Sequence, residues 1–510
     1  MAVSSMIVPA PGTFFLVLGG YFVIMALIGY YSAKKTDSLR EFFVMGGKAG
    51  AIVSGIAYFS TQYSMSTFMG VPAACYQQGY PGLTVSVPGL VFSMIIPALV
   101  VGRKLIRLGH KYDLLTMADY LSDRYESDAL RSLQAVLMVF FVVPMMGAQI
   151  IGAGIIFNTF TGYPEWIGVV ATGFIVIVYC MSGGIRGAML TDVLQGLLMV
   201  ATAVVTFFAA LELGGGLEAI NAKLFELNPA YMAHPGATGS YHWPRLVSMV
   251  VMWSFFSIGS PQLVTKFFAM KNYKVMFKAV ILGTLGMWVS ATLIEWVGVL
   301  GIVSVPGLEG AQRDFIVPLI LQKAVSPVFA SLMIAGIMAA GMSTIDSLLI
   351  VSTGGISRDI YQKLLNKNAT DNEILKLSRY VTVILGVIAI LFGIWRPGAI
   401  FDIIIFSFGG LTIWATPMLL GIYWKRTSSI GAITGIIVGV LVYIPFSASA
   451  AMLDKLGLNS LQPLSDALKS YGMGFDALIP TWLVAMGVTI LVSLVTKPAS
   501  EATLKRHFQI

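Results

Sequence analysis

Charge and the softer metal ligands are scarce in this sequence. Only 11% of its 510 residues are Asp, Glu, Lys or Arg, where a soluble domain carries about a quarter, so water is not its main solvent. It has 4 histidines and 2 cysteines. His110, His234, His242 and His507 all fall outside the apolar stretches, which leaves neither a nucleophile–base pair nor a His/Cys metal cluster within them and argues against an enzyme. Cys75 and Cys180 both lie inside apolar stretches, so no disulfide framework can be read. No loop approaches the roughly 50 residues of a separate soluble domain. The whole chain, 1–510, therefore reads as a single polytopic membrane domain.

What is present is apolar length. The hydrophobic fraction is 57% and the mean hydropathy +0.84. A helix crosses a hydrocarbon core about 30 Å thick with roughly 20 apolar residues. Such stretches occur at 13–32, 50–80, 83–102, 132–160, 166–182, 188–213, 246–270, 275–303, 325–351, 380–395, 400–424, 430–446 and 478–495. This predicts an all-α membrane protein of about 13 transmembrane helices. The first stretch is too long for a signal-peptide core and lacks a preceding basic run, so it is taken as a span.

With an odd count the termini lie on opposite sides. An external N-terminus and cytoplasmic C-terminus place 25 of the 32 Lys and Arg residues on the cytoplasmic side and 7 outside, following the positive-inside rule of a cytoplasmic (inner) membrane. The net charge of +8 is then spread over loops facing anionic lipid and needs no nucleic-acid partner.

Two spans look interrupted. The second contains Ser60-Thr61-Gln62-Tyr63-Ser64-Met65-Ser66-Thr67, then Gly70 and Pro72; the seventh contains Trp253-Ser254-Phe255-Phe256-Ser257-Ile258-Gly259-Ser260-Pro261. Lipid satisfies no backbone hydrogen bonds, so helices break only where the freed groups meet protein, water or solute. Paired breaks at matching positions of two halves point to a transporter's binding site. A single such stretch could equally serve tight helix packing.

Asp192 and Asp346 fall inside apolar spans, where an acidic group costs about 2.5–3.5 kcal/mol on insertion scales and marks a functional site. No basic residue sits at helical spacing from Asp192. In the ninth span Ala340, Ser343, Thr344 and Ser347 form a small, hydroxyl-bearing stripe beside Asp346. Hydroxyls, carbonyls and carboxylates are hard donors suited to a hard cation, and an alkali ion is the expected guest. Glu295 and Asp402 lie near outer span ends and are expected to reach interfacial water.

These motifs, with Glu41-Phe42-Phe43-Val44-Met45-Gly46-Gly47, Gly70-Val71-Pro72-Ala73-Ala74-Cys75-Tyr76, Ser182-Gly183-Gly184-Ile185-Arg186-Gly187 before Thr191-Asp192, and Met342-Ser343-Thr344, resemble the sodium:solute symporter family over nearly the whole chain. The resemblance implies a LeuT-type core of two inverted five-helix repeats, about 50–213 and 246–424, with broken spans 2 and 7. It implies a sodium site at Ser60, Tyr63, Ala340, Ser343 and Thr344. It further implies, as in some members, a second cation at Asp192, Asp346 and Ser347, so one or two Na+ ions and no organic cofactor. Asp346 departs from the Ser or Asn that relatives more often carry, which points to a second sodium or a proton-sensitive site.

A solute pocket between the breaks would use Thr61, Gln62, Ser64, Thr67, Gln149, Trp253 and Ser257. Sialic-acid members hold a carboxylate with an arginine of the fourth span, absent from Pro144-Met145-Met146-Gly147-Ala148-Gln149. Tyr112-Asp113-Leu114-Leu115-Thr116-Met117-Ala118-Asp119-Tyr120 and Gly421-Ile422-Tyr423-Trp424 look nearest the pantothenate and proline branches. The expectation is a symporter for pantothenate or another small carboxylate, working by alternating access as a monomer or weak oligomer in membrane lipid. The alternatives are a proline, other amino-acid or sugar symporter, or a transport-inactive sensor or channel.

Overall fold

The structure, a computed structural model, describes residues 10–34, 39–448, 453–454 and 457–509. Lys35 and Lys455 of the charge tally lie outside the described residues. Among the described residues nine helices are long and apolar enough to cross a membrane, and one bent pair makes a tenth. Helical segments also occupy the remaining three expected spans. The second is divided into Ala51–Gln62 and a run of Ser66–Gly70 and Val71–Gln78. The third starts as Leu83–Pro97, and the fifth is the short apolar piece Glu165–Val178.

Spans 5 and 6 share one helical run, Glu165–Leu213, of 49 residues. Drawn straight, it would extend about 74 Å. Its two ends nevertheless reach the same face. Glu165 pairs with Arg396, which lies 3.8 Å from Asp314, and the Ala210 carbonyl accepts from Ser304, a short turn before Asp314, at 2.8 Å. Midway, Arg186 bonds Glu41 at 2.6 Å on the opposite face. The run therefore reverses between its apolar pieces Glu165–Val178 and Ile185–Leu213, beside the paired glycines. The side chains of residues 181–184 lie outside the described set.

Local chemistry sets the ends of several helices. Span 8, Tyr273–Ser304, starts where the Asn272 side chain accepts from Val275 N–H at 2.9 Å. Thr370 and Glu373 form a reciprocal capping box at the start of span 10, Asp371–Trp395. Each satisfies N–H groups that a helix start leaves without partners. The ninth span, Pro327–Gly354, continues through wider turns to Leu365, well beyond the expected 351.

The breaks are where expected. Span 7 is Trp243–Gly259 and Pro261–Ala269, bent by 55° at extended Ser260. A Cβ on Gly259 would stand 2.0 Å from the Leu411 carbonyl oxygen, so only glycine lets this break touch span 11 (Ile400–Thr412 and Ala415–Tyr423). Span 2 opens at Tyr63, whose backbone is extended.

Candidate functional site: two neighbouring cation sites

Breaking span 2 frees backbone groups deep in the protein, and each must find a partner. The ninth span supplies them. Ser343 Oγ donates to the Ser60 carbonyl at 2.9 Å and to Ala340 at 3.0 Å. Thr344 Oγ1 lies 3.2 Å from the Thr61 carbonyl, 2.9 Å from Tyr63 and 3.1 Å from Ala340. On the other side of the break, Met65 N–H donates to Gln149 Oε1 at 2.7 Å and Ser66 N–H to Ser64 Oγ at 3.2 Å. The five residues expected around sodium are thus gathered in one uncharged cage, all buried. Its hydroxyl protons lie on the carbonyls that a cation would draw, and those hydroxyls, turned about, would present lone pairs to the same ion. The donor set fits a hard monovalent cation.

The carboxylate region differs from the sequence expectation. Lys266, counted there among cytoplasmic loop charges, is fully buried, and its Nζ lies 2.8 Å from Asp192 Oδ2 in an equally buried ion pair. Helical spacing could not reveal this partner because it comes from the far half of broken span 7. A signal was available: Lys266 stands alone among Leu263, Val264, Phe267 and Phe268, and an intramembrane cation calls for an intramembrane anion. Thr61 links the two regions. Its carbonyl joins the neutral cage, while its hydroxyl donates to Asp192 at 3.2 Å and lies 3.2 Å from Ser347 Oγ. Thr61 thus ties the neutral cage to the carboxylate through its carbonyl and its hydroxyl. Asp346 is buried, with Tyr21 within electrostatic reach of both it and Asp192. Glu295, expected to reach interfacial water, is fully buried in span 8.

The other expected solute residues are buried as well. Gln62 bonds Ser93. Gln149, besides holding Met65, donates to Met145 at 3.1 Å. Ser64 and Thr67 turn back on the break itself, Ser64 N–H meeting Thr67 Oγ1 at 3.4 Å. Trp253 packs edge-on against Phe408 at 5.4 Å, and Phe256 stacks on Phe408 at 4.2 Å, with Ser257 buried beside them.

The two faces of the protein are unlike. On the basic face the chain before span 2 and the end of span 7 are tied by Ala49 N–H to Ala269 O at 3.0 Å and Lys271 N–H to Ala49 O at 3.2 Å. Asp119, in the helix Met117–Tyr125, takes Arg358 at 2.6 Å and Arg131 at 2.8 Å, and Arg131 also reaches Asp359 at 3.2 Å. Burial alone would raise the Asp119 carboxyl, but the charges of Arg358 and Arg131, with hydrogen bonds from Arg358 and the Leu115 N–H, bring it down to about 2. Arg124 is buried too, donating to the carbonyls of Gly421 at 2.7 Å and Trp424 at 3.1 Å. These basic residues knit the face together instead of facing lipid as expected. At the opposite face, where spans 7, 11 and 13 begin, a cavity of about 590 Å³ runs from Asp476 and Asp402 to Met252 and Gly409, chain neighbours of Trp253 and Phe408.

Comparison with known proteins agrees with this geometry. Residues 42–439 match the sodium:solute symporter family. The chain is 27% identical to the sodium/pantothenate symporter of Escherichia coli, over 92% of this chain and 94% of that one. It is 25% identical to an osmoregulated proline transporter of Bacillus subtilis, over 96% of each. Among solved structures, a Na+-coupled sialic acid symporter in a substrate-bound outward-open state superposes with a TM-score of 0.77 at 21% identity, covering 96% of this chain and 99% of that one. A match spanning most of the chain, on a fold with this pair of broken spans, settles the assignment: the chain belongs to the sodium:solute symporter family.

Proposed function

We propose that this symporter imports a small carboxylate, pantothenate being the first candidate, and binds the coupling sodium at Ser60, Tyr63, Ala340, Ser343 and Thr344. The observation that carries the sodium assignment is the set of span 2 carbonyls held by Ser343 and Thr344. The solute reading is supported by likeness to the pantothenate symporter. A sodium ion there would pin spans 2 and 9 together without any change of covalent structure. With the ion-paired face taken as cytoplasmic, as the positive-inside rule supports, the cavity would open outward and the arrangement would be the outward-facing half of an alternating-access cycle. If sodium favours this state, it raises solute affinity, and solute must raise sodium affinity by the same factor.

Lys266 bears on the second ion. Two ionised carboxylates close together in a low dielectric need a cation between them, and the Lys266 ammonium already serves Asp192. Asp346 and Ser347 then remain as the candidates for a second sodium or a proton.

The test is a thermal-shift screen of small carboxylates and amino acids on the purified protein, with and without sodium, followed by uptake into proteoliposomes. Pantothenate should stabilise more when sodium is present, and its uptake should saturate and require an inward sodium gradient. Sodium-independent or non-saturating flux would instead favour a channel.

A further inference from the structure

The last helix, Glu501–Phe508, owes little to the core. Of its 8 residues only Thr503 and His507 are buried, and a helix this short is not stable alone in water. It is helical because of what it docks on, and its docking is largely polar. Glu126 grips its start: the carboxylate accepts from the Ser500 N–H at 3.0 Å and from Thr503 Oγ1 at 2.6 Å. Asp123 grips its end, pairing with Arg506 and lying 2.8 Å from His507 Nε2. Both acids belong to one element, the helix Met117–Tyr125 and the residue that caps it.

That element closes the basic face. Asp119 ties it to Arg358 and Arg131, while Arg124 and Tyr125 tie it to the end of span 11, Tyr125 Oη donating to the Pro417 carbonyl at 2.7 Å. Beside it Lys104, in the helix Arg103–Tyr112 that follows span 3, donates to the Ile422 carbonyl at 2.9 Å. The last helix lies across this seam. The Phe508 ring has Arg124 at 5.2 Å, Lys104 at 5.5 Å and Lys425, just past span 11, at 5.7 Å. One ring thus meets a cation from each of the three segments that must part if the seam is to open. Such contacts contribute about 0.5–1 kcal/mol each at exposed sites, and exposed ion pairs about 0–1 kcal/mol. Together they can bias a closed face, yet each is weak enough to release.

We propose that the last helix is a latch on the inner gate. Docked, it holds Met117–Tyr125 against the end of span 11 and keeps the basic face shut; undocked, it unfolds and lets that face open. Its role rests on the reading of the protein as an alternating-access symporter with this face in the cytoplasm.

Thr265 is buried beneath this face, in a wall it shares with Asp359. In Thr265→Cys the thiol should react slowly with N-ethylmaleimide, over the background of Cys75 and Cys180, which are both buried. Adding Asp123→Asn with Glu126→Gln, or Arg506→Gln with Phe508→Ala from the other side of the contact, should speed that reaction at least about fivefold, the lower end of an ordinary conformational coupling. Conversely, Glu126→Cys with Thr503→Cys, bridged by a short reducible bis-methanethiosulfonate, should stop sodium-driven uptake, and reductant should restore it. Unchanged thiol reactivity in both released variants, or undiminished uptake by the bridged protein, would overturn the latch. A wild type that carries no pantothenate sinks the solute reading alone, because the thiol rates still confirm or overturn the latch.

Discussion

Two buried polar clusters share one residue and balance their charge by opposite means. On one side of Thr61 its carbonyl joins a cage of uncharged oxygens held by Ser343 and Thr344; on the other its hydroxyl meets Asp192, whose charge is balanced by Lys266. A neutral cage can lose an ion at modest cost, because the Ser343 and Thr344 hydroxyls can turn their protons onto the carbonyls left behind. The charged pair cannot: removing one member of a buried pair strands the other in low dielectric, at about 3–5 kcal/mol. The first suits a guest that enters and leaves on every cycle, the second a permanent brace between span 6 and the broken span 7.

That contrast can be tested in order of severity. Lys266→Ala should be the most damaging change, abolishing uptake and lowering stability by about 3–5 kcal/mol. Adding Asp192→Ala should restore much of the thermal stability, and a double-mutant cycle would measure the coupling. If Lys266→Ala melts like the wild type, the brace is not structural. Thr344→Ala and Ser343→Ala should leave the melting temperature nearly unchanged while raising the sodium concentration for half-maximal uptake about tenfold, the loss of one ion–hydroxyl contact. An unaltered sodium dependence in both would remove them from the cage.

Asp346→Asn should have a subtler effect, lowering the sodium Hill coefficient or flattening the pH profile of uptake. A variant identical to wild type in both respects would leave the cage as the sole coupling site. The smallest effect concerns the ion-paired face. With its carboxyl held at about 2, Asp119 contributes stability that is full above the unfolded value near 4 and is lost as pH falls toward 2. The melting-temperature gap between wild type and Asp119→Asn should therefore be constant above about pH 5 and shrink below pH 4. A gap that widens on acidification would reverse the sign.

Much of the scaffold could be read without coordinates, because a membrane reduces the problem to apolar length and the rule that broken helices need internal partners. The break at Tyr63 and the hydroxyl stripe of Ala340, Ser343 and Thr344 on span 9 were each legible for this reason, whereas their meeting was implied only by the family resemblance. Lys266 was not, because pairing across the bundle depends on which helices become neighbours, and nothing in spacing along one helix reports that. Glu295 shows the same limit: its position along span 8 suggested an exposed end, whereas its surroundings are set by span 2. The reversal inside Glu165–Leu213 was visible as paired glycines, but its sharpness follows from contacts at both ends of the run.

The Asp192–Lys266 pair also has a direction in time. The two residues are 74 positions apart, and Asp192 leaves the ribosome first. The half-helix Pro261–Ala269 must enter the bilayer bearing an ammonium whose lone insertion costs about 2.5–3.5 kcal/mol. An anion already waiting in span 6 offsets that cost, so we predict that span 6 stays beside the insertion machinery until span 7 arrives. Glycosylation mapping of nascent chains ending after residue 304 would check this: Asp192→Asn should lower the fraction in which span 7 is inserted, and an unchanged fraction would show that the pair forms only after both spans have left the machinery.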